Sequence, residues 1–401
     1  MDVLLVEPAY KNKYPPLGLM KISTYHKSLG DSVRFAKGTP DWATERRWDK
    51  IYISTIFSFD FDLVVRTIKR YQLLCPDIVV GGVMVTTLGD EVEALGVKIH
   101  RGLWPEVDGL VPDRSVLGDV TYDCQSIISY ATRGCPNRCK FCVVHKHEPE
   151  YQSHVPFKDQ VRQEIEQFGD RKELILLDNN ILASPDFEQI IEDIHEIGFY
   201  KGATIKLPRK PEQKRNRRHN RVVDFNQGLD CRLLTPHKAK LLATLPLKPF
   251  RLSFDHLGLK DQYVKAIEIA ANAGFKYFSN YVLYNFNDSP EELYERFKIS
   301  IELNDRLGVE IFSFPMRYVP LDAKNRKFIG KNWDKSTLRA VQALTVGRHG
   351  SVTPRPRYFY DIYGRDLEEY MKICKMPEDW IIRRGQYRAE VNEYLGREAG
   401  S

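Results

Sequence analysis

No run of apolar residues approaches the roughly 18 to 20 that a membrane-spanning helix needs, and the apolar stretch after Met1 stops at Glu7 and Pro8 with no basic leader. The expected setting is the cytoplasm, with no membrane partner. Cysteine is sparse: seven residues in 401, an odd number that suits a disulfide framework poorly. Three of the seven nevertheless fall within eight positions, which moves the question to metal or redox chemistry. A GxGxxG string is missing, so a nicotinamide site has little support. A mainly disordered or fibrous chain is excluded by the balance of 42% hydrophobic, 11% aromatic and 28% charged residues.

The net charge of +6 is unevenly placed. Residues 201–221 carry nine Lys/Arg against Glu212 alone, a local +8, so the rest of the chain sums to −2. The run KLPRKPEQKRNRRHNR, with Lys214, Arg215, Arg217 and Arg218 at its centre, is a candidate contact for RNA or another anionic partner or substrate. It has no interleaved aromatics for base stacking, so a solvated insertion is the preferred reading.

A chain of this length has room for two or three domains of roughly 100 to 200 residues. Short branched-apolar runs at 2–6, 51–54 and 77–80, separated by helix-length stretches, predict an alternating β/α domain with a parallel sheet. Strand candidates at 127–132, 173–177, 222–225, 250–254, 277–283 and 310–314 predict a second alternation, an open or partial barrel. Ser184-Pro185, Thr235-Pro236 and Ser289-Pro290 each set a capping hydroxyl before a proline, which tolerates the first helical turn because no intrahelical bond needs its missing N–H. Glu292 completes a capping box with Ser289, predicting a helix to Gly308; Gly198 and Gly274 are expected to stop two others. Beyond about 330, helices are expected at 335–346 and 365–373, separated by TPRPRYF. The fold class is thus α/β: a Rossmann-like, doubly wound domain over 1–115, a partial (β/α)6 barrel over 122–325 with the basic insertion, and a helical extension over 326–401.

The segment that carries chemistry is Thr132-Arg133-Gly134-Cys135-Pro136-Asn137-Arg138-Cys139-Lys140-Phe141-Cys142, a CxxxCxxC loop directly after an apolar strand. Thiolates on so short a loop suit zinc or iron–sulfur chemistry. With His145 as a fourth ligand the loop is a Cys3His zinc knuckle, and the protein a zinc-stabilised nucleic-acid-binding protein without catalysis. The loop's place argues for a cluster instead: it follows the first strand of a large α/β domain, at the end where barrel enzymes keep their chemistry.

With Phe141 before its last cysteine, this loop closely resembles that of the radical S-adenosylmethionine (radical SAM) enzymes, and residues 125 to about 320 are similar to their partial barrel in order and spacing. The first 110 residues resemble the cobalamin-binding-type domain that precedes this barrel in one large subgroup, through PPLGL at 15–19 and the Gly81-Gly82 turn. The resemblance implies a [4Fe–4S] cluster on Cys135, Cys139 and Cys142, with SAM on the fourth iron. It implies reductive cleavage of SAM to a 5′-deoxyadenosyl radical that takes hydrogen from a substrate, and a flavodoxin- or ferredoxin-like electron donor.

Carried over by position, the resemblance implies an adenine contact from the Phe141 backbone and a site for the methionine amino group at Asp178, Asn179 and Asn180, where this chain departs from the usual Gly-Gly-Glu. It further implies a carboxylate partner in Arg232 beside Asp230, ribose contacts from Ser253 and Asp255, and adenine neighbours at Leu283, Tyr284, Asn285, Met316 and Arg317. Methyl or methylthio transfer, RNA included as substrate, stays open, with hydrogen abstraction ranked ahead.

Cobalamin stays open and is not favoured, because the ligating Asp-x-His-x-x-Gly is absent from residues 1–110, which hold only His26 and His100. Asp193-Ile194-His195-Glu196-Ile197-Gly198 matches that string but falls in an expected barrel helix, outside the context that gives it meaning. Cys75, Cys124, Cys231 and Cys374 are expected to be bystanders, and Tyr358, Phe359, Tyr360 and Tyr363 to serve packing.

Overall fold

The computed structural model describes residues 1–122, 125–207, 218–346 and 350–397, and the chain divides into two compact units. The first unit comprises Met1–Asn226 and Pro320–Lys327; the second comprises Gln227–Val319 and Phe328–Ser401. Among the described residues no helix is long and apolar enough to cross a membrane.

The first unit is built on five parallel strands, β1 (Asp2–Glu7), β2 (Ser32–Lys37), β3 (Lys50–Thr55), β4 (Ile78–Gly82) and β5 (Lys98–His100), in the order β2-β1-β3-β4-β5. The unbroken apolar run of β1 has a physical cause: a strand inside a parallel sheet is covered on both faces. Leu4 and Val6 join Ile51, Ile53, Val64 and Ile68 on one face, while Val3 and Leu5 meet Leu19, Met20 and Tyr52 on the other. The order reverses direction between β1 and β3, a topological switch point of the kind where open α/β sheets gather ligands at the strands' carboxyl ends. Gly82 sits at that end of β4 with φ +100°, and a Cβ there would lie 2.2 Å from the Thr55 carbonyl oxygen. No other residue fits between β3 and β4 at this point.

The remainder of this unit holds β6 (Ile127–Ser129), β7 (Glu173–Leu176), the antiparallel pair β8 (Thr204–Lys206) and β9 (Arg218–Asn220), and β10 (Val222–Phe225). Strands β10-β7-β6 form a three-stranded parallel sheet. The second unit contains a second such sheet, β11 (Phe250–Ser253), β12 (Tyr277–Tyr284) and β13 (Glu310–Arg317). All nine apolar runs read as strands from the sequence are strands here. Strands β2 and β5 and the β8–β9 pair were not foreseen, although the Val33/Phe35 alternation in SVRFAK is a readable strand signal.

Helix Pro290–Leu307 begins with the full capping box of Ser289 and Glu292 and ends at Gly308 in the left-handed conformation, as its sequence predicts. Thr235 likewise accepts the Lys238 N–H and caps Pro236–Leu242. At Ser184 the expectation fails: the helix spans Phe187–Glu196, because Ser184 Oγ takes the Asp186 N–H in a local turn and donates to the Ser153 carbonyl. In the C-terminal region Lys335–Val346 and Leu367–Lys375 are helical, but TPRPRYF is no mere separator. Pro356 opens a helix to Tyr363 whose Phe359 and Tyr363 are buried with Tyr294 and Tyr370, so these rings serve packing. The Tyr294 and Tyr370 rings stack at 4.9 Å.

Of the basic insertion, Lys214, Arg215 and Arg217 lie outside the described residues, as does Cys124. Arg218 is exposed on β9.

Candidate functional site

The cysteine loop is anchored at its base before any cysteine is reached. Just beyond β6, Ala131 and Thr132 donate their N–H groups to Asp178 Oδ1, and the Thr132 hydroxyl adds a third bond at 2.7 Å. Arg133 and Gln152 exchange backbone hydrogen bonds of 3.1 and 2.9 Å, closing the loop like the neck of a bag. Gly134 has φ +70°, and a Cβ on it would lie 2.5 Å from the Glu150 carbonyl oxygen. Gly134→Ala should therefore displace this neck and cost about 1–3 kcal/mol of stability. A urea titration checks this, and wild-type stability in the variant would contradict it.

Cys135, Cys139 and Cys142 are unbridged and half-buried, with the Cys142 N–H on the Cys139 carbonyl at 3.0 Å. Cys75, Cys231 and Cys374 are fully buried, and burial pushes their thiols up, to about 11 for Cys231 and about 12 for Cys374. Protonated thiols are poor metal donors, which sets these three aside. Three soft, half-buried sulfur donors on one short loop fit an iron–sulfur cluster by chemical type. Among the described residues, no three His, Cys, Asp or Glu groups surround one point as a single ion requires; a cubane instead takes one thiolate per iron at separate corners. His147, near the loop, is bonded through Nδ1 to the Thr86 hydroxyl at 2.8 Å, and burial pulls its pKa down.

Asp178 is completely buried, and desolvation pushes its carboxyl up to about 6 despite the three donors on Oδ1. Its Oδ2 has no partner among the described residues. With a folded pKa above the unfolded value of about 3.9, the Asp178 contribution to stability is full below pH 4 and is lost as pH rises through 6. Asp178→Asn keeps an acceptor for the same donors and removes that loss. Urea midpoints at pH 5 and pH 8 should therefore shift in favour of the variant as pH rises; a pH-independent difference would contradict this account. Asn179 is half-buried and Asn180 buried beside it.

The remaining candidates belong to the second unit. Leu229 bridges Leu252 of β11, which brings Asp230 and Arg232 alongside Ser253 and Asp255. Arg232 is exposed and forked onto Asp230, Nε to Oδ1 at 2.8 Å and Nη2 to Oδ2 at 2.7 Å. Burial pushes Asp255 up to about 6, with Arg296 and Arg232 pulling the other way. Leu283 is half-buried, Met316 half-exposed, and the Tyr284 ring is spent in the core against Trp333.

Sequence reading did not find the residue that organises these strand ends. Arg296, with no exposed surface, donates Nη1 to the carbonyls of Phe254, Asp255 and Leu283, Nε to Glu292 O, and Nη2 to the Asp288 carboxylate. One guanidinium thus ties the ends of β11 and β12 together. The only signal was an arginine on the apolar side of an amphipathic helix.

A second feature of the first unit is a cavity of about 410 Å³ at the switch point, lined by Thr55, Gly82, His100, Trp104, Arg133 and Glu148 among others. Of the two histidines in the first 110 residues, His26 is spent on Asp31 (2.7 Å) and Tyr52 (3.0 Å), while His100 Nε2 faces the Leu103 carbonyl at 3.3 Å. Asp193 of the DxHxxG-like string is bonded to His154 and Lys158.

Part of the chain matches a known family. Residues 129–297 match the radical SAM superfamily. The matched stretch contains all three loop cysteines, and the radical SAM family implies a [4Fe–4S] cluster and SAM. Among solved structures, Streptococcus suis SuiB bound to precursor peptide SuiA is similar at a TM-score of 0.37 and 16% identity, over 64% of this chain and 54% of that one. SuiB bound to S-adenosylmethionine gives 0.36 and 17%, over 56% and 48%. The chain spans about half the length of these structures. No curated protein matches it.

Proposed function

We propose that the protein is a radical SAM enzyme whose [4Fe–4S] cluster is held by Cys135, Cys139 and Cys142. The observation that carries this reading is the unbridged CxxxCxxC loop, anchored at its neck and lying inside the stretch that matches the superfamily. When bound, the cluster supplies the electron that cleaves SAM to methionine and a 5′-deoxyadenosyl radical, which abstracts hydrogen from substrate. The chain's own residues bind and orient. Phe141 offers backbone to the adenine, and Asn179 and Asn180 offer polar groups to the methionine amine.

Arg232, forked onto Asp230 here, would pair with the SAM carboxylate, an anion that guanidinium suits. Ser253 and Asp255 would take the ribose hydroxyls, and Leu283 and Met316 would border the base, with Tyr284 beside them able to contribute only backbone because its ring is in the core. In this reading residues 1–115, 122–325 and 326–401 act as Rossmann-like, barrel and helical parts of a cytoplasmic enzyme, with electrons from a flavodoxin- or ferredoxin-like donor.

Anaerobic reduction with SAM, followed by product analysis, tests the reading. 5′-Deoxyadenosine is the expected product. S-adenosylhomocysteine in its place would turn the assignment towards methyl transfer, and the absence of both in verified reduced protein would overturn it.

A further inference from the structure

Four charged side chains meet against the neck of the cysteine loop. Arg133 is 5% exposed and Glu148 7%, and Lys21 is buried beside them. The Arg133 guanidinium gives Nε to Asp108 Oδ2 at 2.9 Å, Nη2 to Asp108 Oδ1, and Nη1 to Glu148 Oε1 at 3.2 Å. Its flat face lies 3.6 Å above the Tyr130 ring centroid. Glu148 spends its other oxygen, Oε2, on the Gly134 N–H at 2.6 Å. Lys21, on helix Leu17–Ser28, reaches the Asp108 carboxylate at 3.5 Å and its carbonyl as well. Two cations and two anions balance, and every carboxylate oxygen has a named donor. Burial would raise the Asp108 carboxyl, but Arg133 and Lys21 outweigh it and hold it below its ordinary range.

Such a network is an expensive way to stabilise a fold, because well-packed apolar residues of similar volume do as well or better. What it supplies is geometry. Glu148 grips both the side chain of Arg133 and the backbone of Gly134, the two residues immediately before Cys135, while Asp108 fixes the far side of the same guanidinium. The neck is thereby held from two directions, independently of the bonds from Asp178.

We propose that Arg133 and Glu148 are positioning residues that set where the Gly134–Cys135 backbone presents the first thiolate to the cluster. This rests on the radical SAM reading of the loop. Arg133 would act through Glu148 and the Gly134 N–H and not as a ligand, as outer hydrogen-bonding partners act on metal ligands elsewhere. The sequence holds a trace of the arrangement only in the spacing of Arg133 and Glu148 around the three cysteines, and none of the role of Asp108.

The test compares wild type with Arg133→Lys, Arg133→Met, Glu148→Gln and Glu148→Leu, reconstituted anaerobically with iron and sulfide. The readouts are iron content, the electron paramagnetic resonance spectrum of the reduced cluster with and without SAM, and 5′-deoxyadenosine formation; circular dichroism confirms folding. Glu148→Leu and Arg133→Met are expected to shift the spectrum and lower SAM cleavage by about 10- to 100-fold. Glu148→Gln, which keeps an acceptor for Gly134, should return to within a few-fold of wild type, and Arg133→Lys, which keeps charge without the fork, should not.

If a truncating variant fails to fold, the near-isosteric Glu148→Gln and Arg133→Lys still decide the matter, since equal behaviour in the two overturns the proposal. Wild-type iron, spectra and cleavage in folded variants overturn it alone. Wild-type protein that takes up no iron overturns the cluster reading and this proposal with it.

Discussion

Replacing any one of Cys135, Cys139 or Cys142 with alanine should abolish iron retention and SAM cleavage, while the same change at Cys75, Cys231 or Cys374 should leave both intact. The contrast follows from where the six thiols lie. The three loop sulfurs are half-buried, whereas burial holds the others in the protonated form, to about 11 at Cys231 and about 12 at Cys374. Loss of an outer hydrogen-bonding partner costs roughly 10- to 100-fold, so removal of a ligand itself should exceed that. Iron per chain and 5′-deoxyadenosine yield are the measurements. Full iron content in Cys139→Ala, or its loss in Cys374→Ala, would contradict the assignment.

The second large effect is on stability. Arg296→Met should cost about 3–5 kcal/mol, because it strands the buried Asp288 carboxylate and removes the donors that serve the carbonyls of Phe254, Asp255 and Leu283. The double variant Arg296→Met/Asp288→Leu should recover part of the loss, since it takes away the unpaired charge. Desolvation already raises the Asp288 carboxyl even with Arg296 present, which shows how poorly that site tolerates a lone anion. Urea unfolding of the three proteins reads the effect. A loss under about 1 kcal/mol for Arg296→Met would mean that the arginine does not hold these strand ends.

Much of this molecule is legible in its sequence where local physics decides. The strands of the two three-stranded parallel sheets follow from branched-apolar runs, and the capping box at Ser289 and the left-handed Gly308 follow from side-chain chemistry that acts over a few residues. The cysteine loop is legible because three thiols crowd eight positions. Ser184 misled because its hydroxyl had a competing partner, the Ser153 carbonyl, 31 residues away. Illegible for the same reason were the couplings that position the site: Asp108 with Arg133 across 25 residues, Asp178 with Thr132 across 46, and Arg296 with Phe254 across 42. Each depends on tertiary placement of residue types that are unremarkable where they stand in the chain. Strand β5 escaped because three residues are too short to show a period.

Metal and sulfide analysis of anaerobically purified protein tests the central claim most directly. The account predicts about four iron and four inorganic sulfide per chain on reconstitution, with no stoichiometric zinc. About one zinc per chain, without iron or sulfide, would contradict it and return Cys135, Cys139, Cys142 and His145 to a structural zinc site.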